Sequence, residues 1–83
     1  MKITVQLFAR ARDLAGASAV TVELATGARV RDLRRGLAEQ HPALAILLER
    51  SALAVNDEFA EDTLSLVEGA KVALLPPVSG GLS

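Results

Sequence analysis

The sequence has no cysteine, so disulfides, thiolate nucleophiles and zinc-cysteine centres are excluded, and any sulfur chemistry needs a carrier other than a thiol. It has no tryptophan or tyrosine and only two phenylalanines, Phe8 and Phe59, too few for an aromatic stacking surface. The single histidine, His41, precedes Pro42 and has no second histidine with which to share a metal. Its expected place is a polar position at a helix end, and no metal site is expected. Charge of neither sign is in excess: nine Lys+Arg stand against ten Asp+Glu, for a formal net charge of -1. Nothing there would hold a phosphate backbone, so nucleic acid is not an expected partner. No apolar run approaches membrane-spanning length, and residues 1–8 alternate apolar and polar without a small-residue cleavage site. A cytoplasmic protein with no membrane association is the expectation.

What is present is a short, aliphatic chain. Eighty-three residues at 8.7 kDa suffice for one small domain and rule out a two-domain enzyme. Hydrophobic residues make up 51%, so the core must be Leu, Val, Ile and Ala.

Ile3, Val5 and Leu7 alternate with Lys2, Thr4 and Gln6, the period of a half-buried strand. The Ala- and Arg-rich segment from Ala9 to Ala15 predicts a short helix that Gly16 ends. Val20, Val22 and Leu24 then alternate with Thr21 and Glu23 in a second strand, which should pair antiparallel with the first. Val30, Leu33, Leu37 and Ala38 recur at helical spacing, so residues 30–40 predict an amphipathic helix that stops before Pro42. Its start is poorly marked, with Arg29 at the cap position. Arg31, Arg34 and Arg35 read as its solvated face. A further apolar helical stretch at residues 43–48 should cover the sheet edge.

Leu53 and Val55 lead into Asn56-Asp57, a pair that favours a tight hairpin turn, with a short strand returning at residues 58–60. The acidic pairs Asp57-Glu58 and Glu61-Asp62 fit solvated turns rather than a catalytic pair. After a loop or helical turn and Gly69, residues 71–75 predict a last strand with little alternation, as for a central strand covered on both faces. The expected architecture is an α+β fold, one main helix with short extra helices on a mixed four- or five-stranded sheet, with the first and last strands in the middle. It occupies residues 1–75.

A tail follows over residues 76–83. Pro76 and Pro77 hold the backbone extended and remove two donors, so the chain must leave the sheet. Val78, Ser79, Gly80 and Gly81 are small, and two glycines allow a narrow enzyme tunnel to close around the main chain. The functional element of such a flexible tail is a main-chain carboxylate; a disordered terminus with no function is the other reading of the same residues.

Four segments together carry a resemblance: Leu7-Phe8-Ala9-Arg10-Ala11-Arg12-Asp13-Leu14-Ala15-Gly16, Val30-Arg31-Asp32-Leu33-Arg34, Val55-Asn56-Asp57-Glu58, and Gly69 through Gly81 with its Pro-Pro-Val-Ser-Gly-Gly ending. Over residues 1–81 the chain resembles the small-subunit family of molybdopterin synthases, sulfur carriers with the ubiquitin-like β-grasp fold. The resemblance implies that an adenylyltransferase of the ubiquitin-E1 type uses ATP to activate the Gly81 carboxylate. A sulfur donor protein then converts it to a thiocarboxylate. The large synthase subunit, in a heterotetramer, supplies the catalytic side chains and passes sulfur to cyclic pyranopterin monophosphate. The carrier itself is implied to be non-catalytic and to bind no cofactor.

By position in the motif, Gly81 carries the thiocarboxylate, Gly80 gives it access, and Pro76, Pro77, Val78 and Ser79 form the inserted stalk. Phe8, Phe59 and Leu75 match an apolar docking patch on the exposed sheet face, and Arg12 matches a polar partner contact. For Phe8 and Leu75 core packing is equally compatible with the sequence, whereas Phe59 is expected to be exposed.

The sequence departs from the family in one respect: Leu82 and Ser83 follow Gly81, which leaves no carboxylate there to activate. A precursor clipped by a peptidase, an artefact of the expressed sequence, and a homologue that has lost carrier activity are three explanations, in that order. The alternative functions are a ubiquitin-like protein modifier, a sulfur carrier for another pathway such as thiamine synthesis, and a purely structural adaptor.

Overall fold

The structure is a computed structural model that describes residues 1–77; Val78, Ser79, Gly80, Gly81, Leu82 and Ser83, on which the tail readings fall, lie outside the described residues. The chain runs β1 (Lys2–Leu7), α1 (Ala9–Ala15), β2 (Ala19–Glu23), α2 (Val30–Gln40), a 3-10 turn (Pro42–Leu44), α3 (Ala45–Arg50), β3 (Ala52–Val55), β4 (Glu58–Ala60) and β5 (Lys71–Leu75). The five strands form one sheet in the order β2-β1-β5-β3-β4. β1 and β5 run parallel, with Thr4 opposite Lys71 and Leu7 opposite Leu74, while the other neighbours are antiparallel. The first and last strands therefore lie side by side in the middle, as the sequence predicts. The single long helix on one face of a mixed sheet is the β-grasp arrangement.

Alternation places Ile3, Val5 and Leu7 of β1, Val20 and Val22 of β2, Leu53 of β3 and Val72 and Leu74 of β5 on one face, all buried. Val30, Leu33 and Leu37 of α2 meet them, and burying each such side chain is worth about 1.5–3 kcal/mol. Gly36 lets α2 approach the sheet closely: a Cβ there would stand 2.9 Å from Val22 Cγ1. The weakly marked start of α2 is secured by Asp32, whose carboxylate accepts the Arg29 backbone N–H at 2.8 Å. Gly16, at φ 71, ends α1 by donating its N–H to the Arg12 carbonyl at 2.9 Å.

Two expectations are corrected. The stretch at residues 43–48 is a 3-10 turn followed by α3, packed against α1 and α2 with Leu44 and Leu48 in the core, because their spacing turns both inward. Arg34 is not on a solvated face. Its Nη1 donates to the carbonyls of Leu48 and, at 3.0 Å, Ser51, and its Nη2 pairs with Asp62 at 3.2 Å. It ties α2 to the end of α3 and to the loop after β4.

Candidate functional site

β5 alternates in burial after all: Val72 and Leu74 are buried, whereas Ala73 and Leu75 are half-buried on the opposite face, so the described residues do not cover the strand on both sides. The uncovered face is built by register. Ala54 of β3 lies opposite Ala73 of β5 on one side and Phe59 of β4 on the other. One step beyond the Leu7–Leu74 pair, Phe8 arrives beside Leu75. Phe8, Ala54, Asp57, Phe59, Ala73 and Leu75 line one shallow depression, with two alanines as its floor and two phenylalanines as its walls.

Each wall has a local cause. Phe8 ends the alternation of β1 on the open face, and Ala9 then takes φ 50, a left-handed conformation that turns the chain sharply into α1. The Phe8 carbonyl accepts the Ala11 N–H at 3.1 Å, so Phe8 is pinned at the helix entry, 47% exposed. Phe59 stands in the middle of β4 and is 79% exposed. Its strand is held by the turn at Asn56 and Asp57, at φ 51 and 72, both in the left-handed region that a two-residue hairpin demands. Asn56 also fixes the turn to β5: its N–H donates to the Lys71 carbonyl at 2.7 Å, and its Oδ1 accepts the Lys71 N–H at 3.0 Å.

The structure thus brings Phe8, Phe59 and Leu75 together. Arg12 lies one turn of α1 beyond Phe8, exposed, and its guanidinium has no hydrogen-bond partner among the described residues. Pro76 and Pro77 leave β5 directly from the rim at Leu75, Pro76 half-buried and Pro77 exposed. The sequence does not single out Ala54 or Ala73 for this face, and marks Asp57 only as a turn residue and half of a solvated acidic pair. The small residues Ala52 and Ala54, alternating with Leu53 and Val55, are the signal that marks a second, shallower apolar face.

A surface of this kind can exclude water against a matching apolar surface, with aromatic anchors at its centre and charges at its edge. Asp57 is the one ionisable side chain in its lining.

Residues 5–81 match the ThiS family. The chain belongs to that family. Among its relatives, the molybdopterin synthase sulfur carrier subunit of Chlamydomonas reinhardtii is 39% identical over 83 residues, covering 98% of this chain and all of the relative. The resemblance read from the sequence is borne out. The ThiS-family fold is equally plain in solved structures. SAMP1, small archaeal modifier protein 1, of Haloferax volcanii superposes with a TM-score of 0.87 at 30% identity, covering 98% of this chain and 100% of that one. A chain in the complex of subunits 1 and 2 of the molybdopterin-converting factor from Helicobacter pylori aligns at 26% identity with a TM-score of 0.69, over 98% of this chain and 100% of that one. No helix among the described residues is long and apolar enough to cross a membrane.

Proposed function

We propose that this chain is the sulfur carrier of a molybdopterin synthase, a non-catalytic subunit that delivers sulfur as a thiocarboxylate on Gly81. The observation that carries the reading is the junction at Leu75. The residue that closes the apolar face is also the last residue before the Pro76-Pro77 tail, so a partner seated on the face receives the tail at its own surface. The similarity to molybdopterin synthase sulfur carrier subunits supports the same role, and the Helicobacter complex supports a large subunit as the partner.

The chemistry follows from the tail. Hydrolysis of the Gly81–Leu82 bond first frees the Gly81 carboxylate. Its oxygen then attacks the α-phosphorus of ATP on an adenylyltransferase, with pyrophosphate leaving. Sulfide released by a sulfur donor attacks the acyl carbon of the adenylate, a C–S bond forming as the C–O bond to AMP breaks, which leaves Gly81 as the thiocarboxylate; AMP departs because an adenylate is a far better leaving group than oxide. The carrier holds no cofactor of its own in this scheme and acts in the cytoplasm. Phe8, Phe59 and Leu75 dock, Arg12 adds a charged contact, Pro76, Pro77, Val78 and Ser79 span the entry channel, and Gly80 lets it close around the chain.

Intact-mass spectrometry of the untagged protein from its own host tests this, before and after incubation with ATP, a sulfur donor and the activating enzyme. Loss of Leu82-Ser83, followed by the mass change for replacing a carboxylate oxygen with sulfur, is expected. A full-length chain whose mass never changes would overturn the carrier role. The similarity to small archaeal modifier protein 1 favours a second reading, a protein modifier, and the same experiment separates the two: a modifier yields conjugates joined to lysine instead of a free thiocarboxylate.

A further inference from the structure

The edge of the sheet next to Phe59 carries an unused pair of backbone groups. Asn56 directs its backbone N–H toward β5, where Lys71 receives it. Even-numbered positions of β3 therefore bond to β5, and Leu53 and Val55 bond to β4, opposite Ala60 and Glu58. Phe59 lies between those two bonded positions, so its own N–H and C=O point away from the sheet. Neither has a backbone partner among the described residues. The chain turns away immediately afterwards, since the Glu61 carbonyl accepts the Leu64 N–H at 3.0 Å.

A second depression runs along this edge, lined by Val55, Glu58, Phe59, Glu61 and Leu64 among others. Phe59 belongs to both depressions, so the edge groove is continuous with the open sheet face. Leu64, above the groove, is 43% exposed although its carbonyl is anchored by the Val30 N–H at 2.9 Å. Glu58 and Glu61 flank Phe59, and the ion pairs among the described residues engage Glu23 and Asp62 instead. The edge thus offers one donor, one acceptor, an apolar cleft and two free carboxylates.

We propose that the β4 edge pairs with an extended segment of the subunit that covers the open sheet face. That segment makes two backbone hydrogen bonds to Phe59, places an apolar side chain toward Leu64 and Val55, and sets a Lys or Arg between Glu58 and Glu61. The proposal rests on the docking reading above and adds strand pairing and a basic partner segment to it. Short length and charge are also how proteins protect an edge from self-pairing, but a phenylalanine left 79% exposed at the centre of the edge is the opposite of protection.

Titration of the carrier with the large synthase subunit tests the proposal, using wild type, Glu58→Lys with Glu61→Lys, and Leu75→Asp, each first checked for an unchanged melting curve. The charge reversal should weaken binding by about tenfold or more and reverse the sign of its salt dependence. Nuclear magnetic resonance of the wild-type complex should show cross-strand contacts from the Phe59 amide to a partner backbone. If the charge reversal binds as wild type while Leu75→Asp fails, the edge pairing is wrong and the sheet-face docking stands. If the charge reversal binds normally but associates with itself, the carboxylates only guard the edge, and the proposal falls. If both variants bind as wild type, or the wild type does not bind, the docking reading fails and this inference fails with it.

Discussion

Ala9 sits at φ 50, where a residue with a Cβ is disfavoured by about 1–2 kcal/mol, and it does so beside Phe8 on the open face. Local strain next to a contact residue is retained where the resulting geometry is needed. Ala9→Gly should relieve it and raise unfolding free energy by about 1 kcal/mol in urea denaturation, since glycine adopts this conformation freely. Gly36 predicts the reverse. Alanine is the better helix former by about 1 kcal/mol, yet its methyl would press on Val22, which is buried and rotationally stiff. Overpacking costs about 1–3 kcal/mol, so Gly36→Ala should lower the urea midpoint by the equivalent of about 1 kcal/mol. An unchanged or higher midpoint would mean that α2 and β2 separate more easily than their packing indicates.

Arg34 shows how one side chain can join three elements. It satisfies the carbonyls at the end of α3 while holding Asp62 in the loop after β4. Arg34→Met keeps the stem but leaves the part-buried carbonyl bonds unmade, a loss of about 2 kcal/mol. Asp62→Asn removes only a half-exposed ion pair and should cost under about 1 kcal/mol. Faster hydrogen exchange around residues 48–51 in the Arg34 variant, but not in the Asp62 variant, would locate the effect. At this scale the limits of sequence reading become physical. Spacing places α2 over residues 30–40 and Pro42 fixes its end, because Val30, Leu33 and Leu37 form a stripe that the proline must terminate, whereas its start depends on the Asp32 contact with Arg29. The role of Arg34 depends on groups 14 to 28 residues away, and no periodicity encodes them. β5 misleads for a related reason. Ala73 and Leu75 are apolar whether covered by their own chain or by another, so the pattern shows that the face avoids water without showing what covers it.

For the whole molecule, every buried side chain among the described residues lies between Ile3 and Leu74. Deleting residues 78–83 should therefore leave the melting temperature unchanged while abolishing sulfur acceptance in the mass assay; a large drop in melting temperature would place the tail in the fold. The same division is legible in the sequence, where Pro76-Pro77 ends the β pattern, and so are the pairing of β1 with β2 and the hairpin at Asn56-Asp57. The Phe8 and Leu75 positions are not, since alternation assigns them a face but not its occupant. The parallel pairing of β1 with β5 has a mechanical consequence. The tail leaves β5 at the end farthest from where β1 begins, so tension between the two loads the hydrogen bonds from Thr4–Lys71 to Leu7–Leu74 in shear, all at once. They cannot be peeled one after another. An enzyme that draws the tail into a narrow channel pulls against the strongest direction of the sheet, and the load reaches the domain as a whole instead of unzipping its last strand.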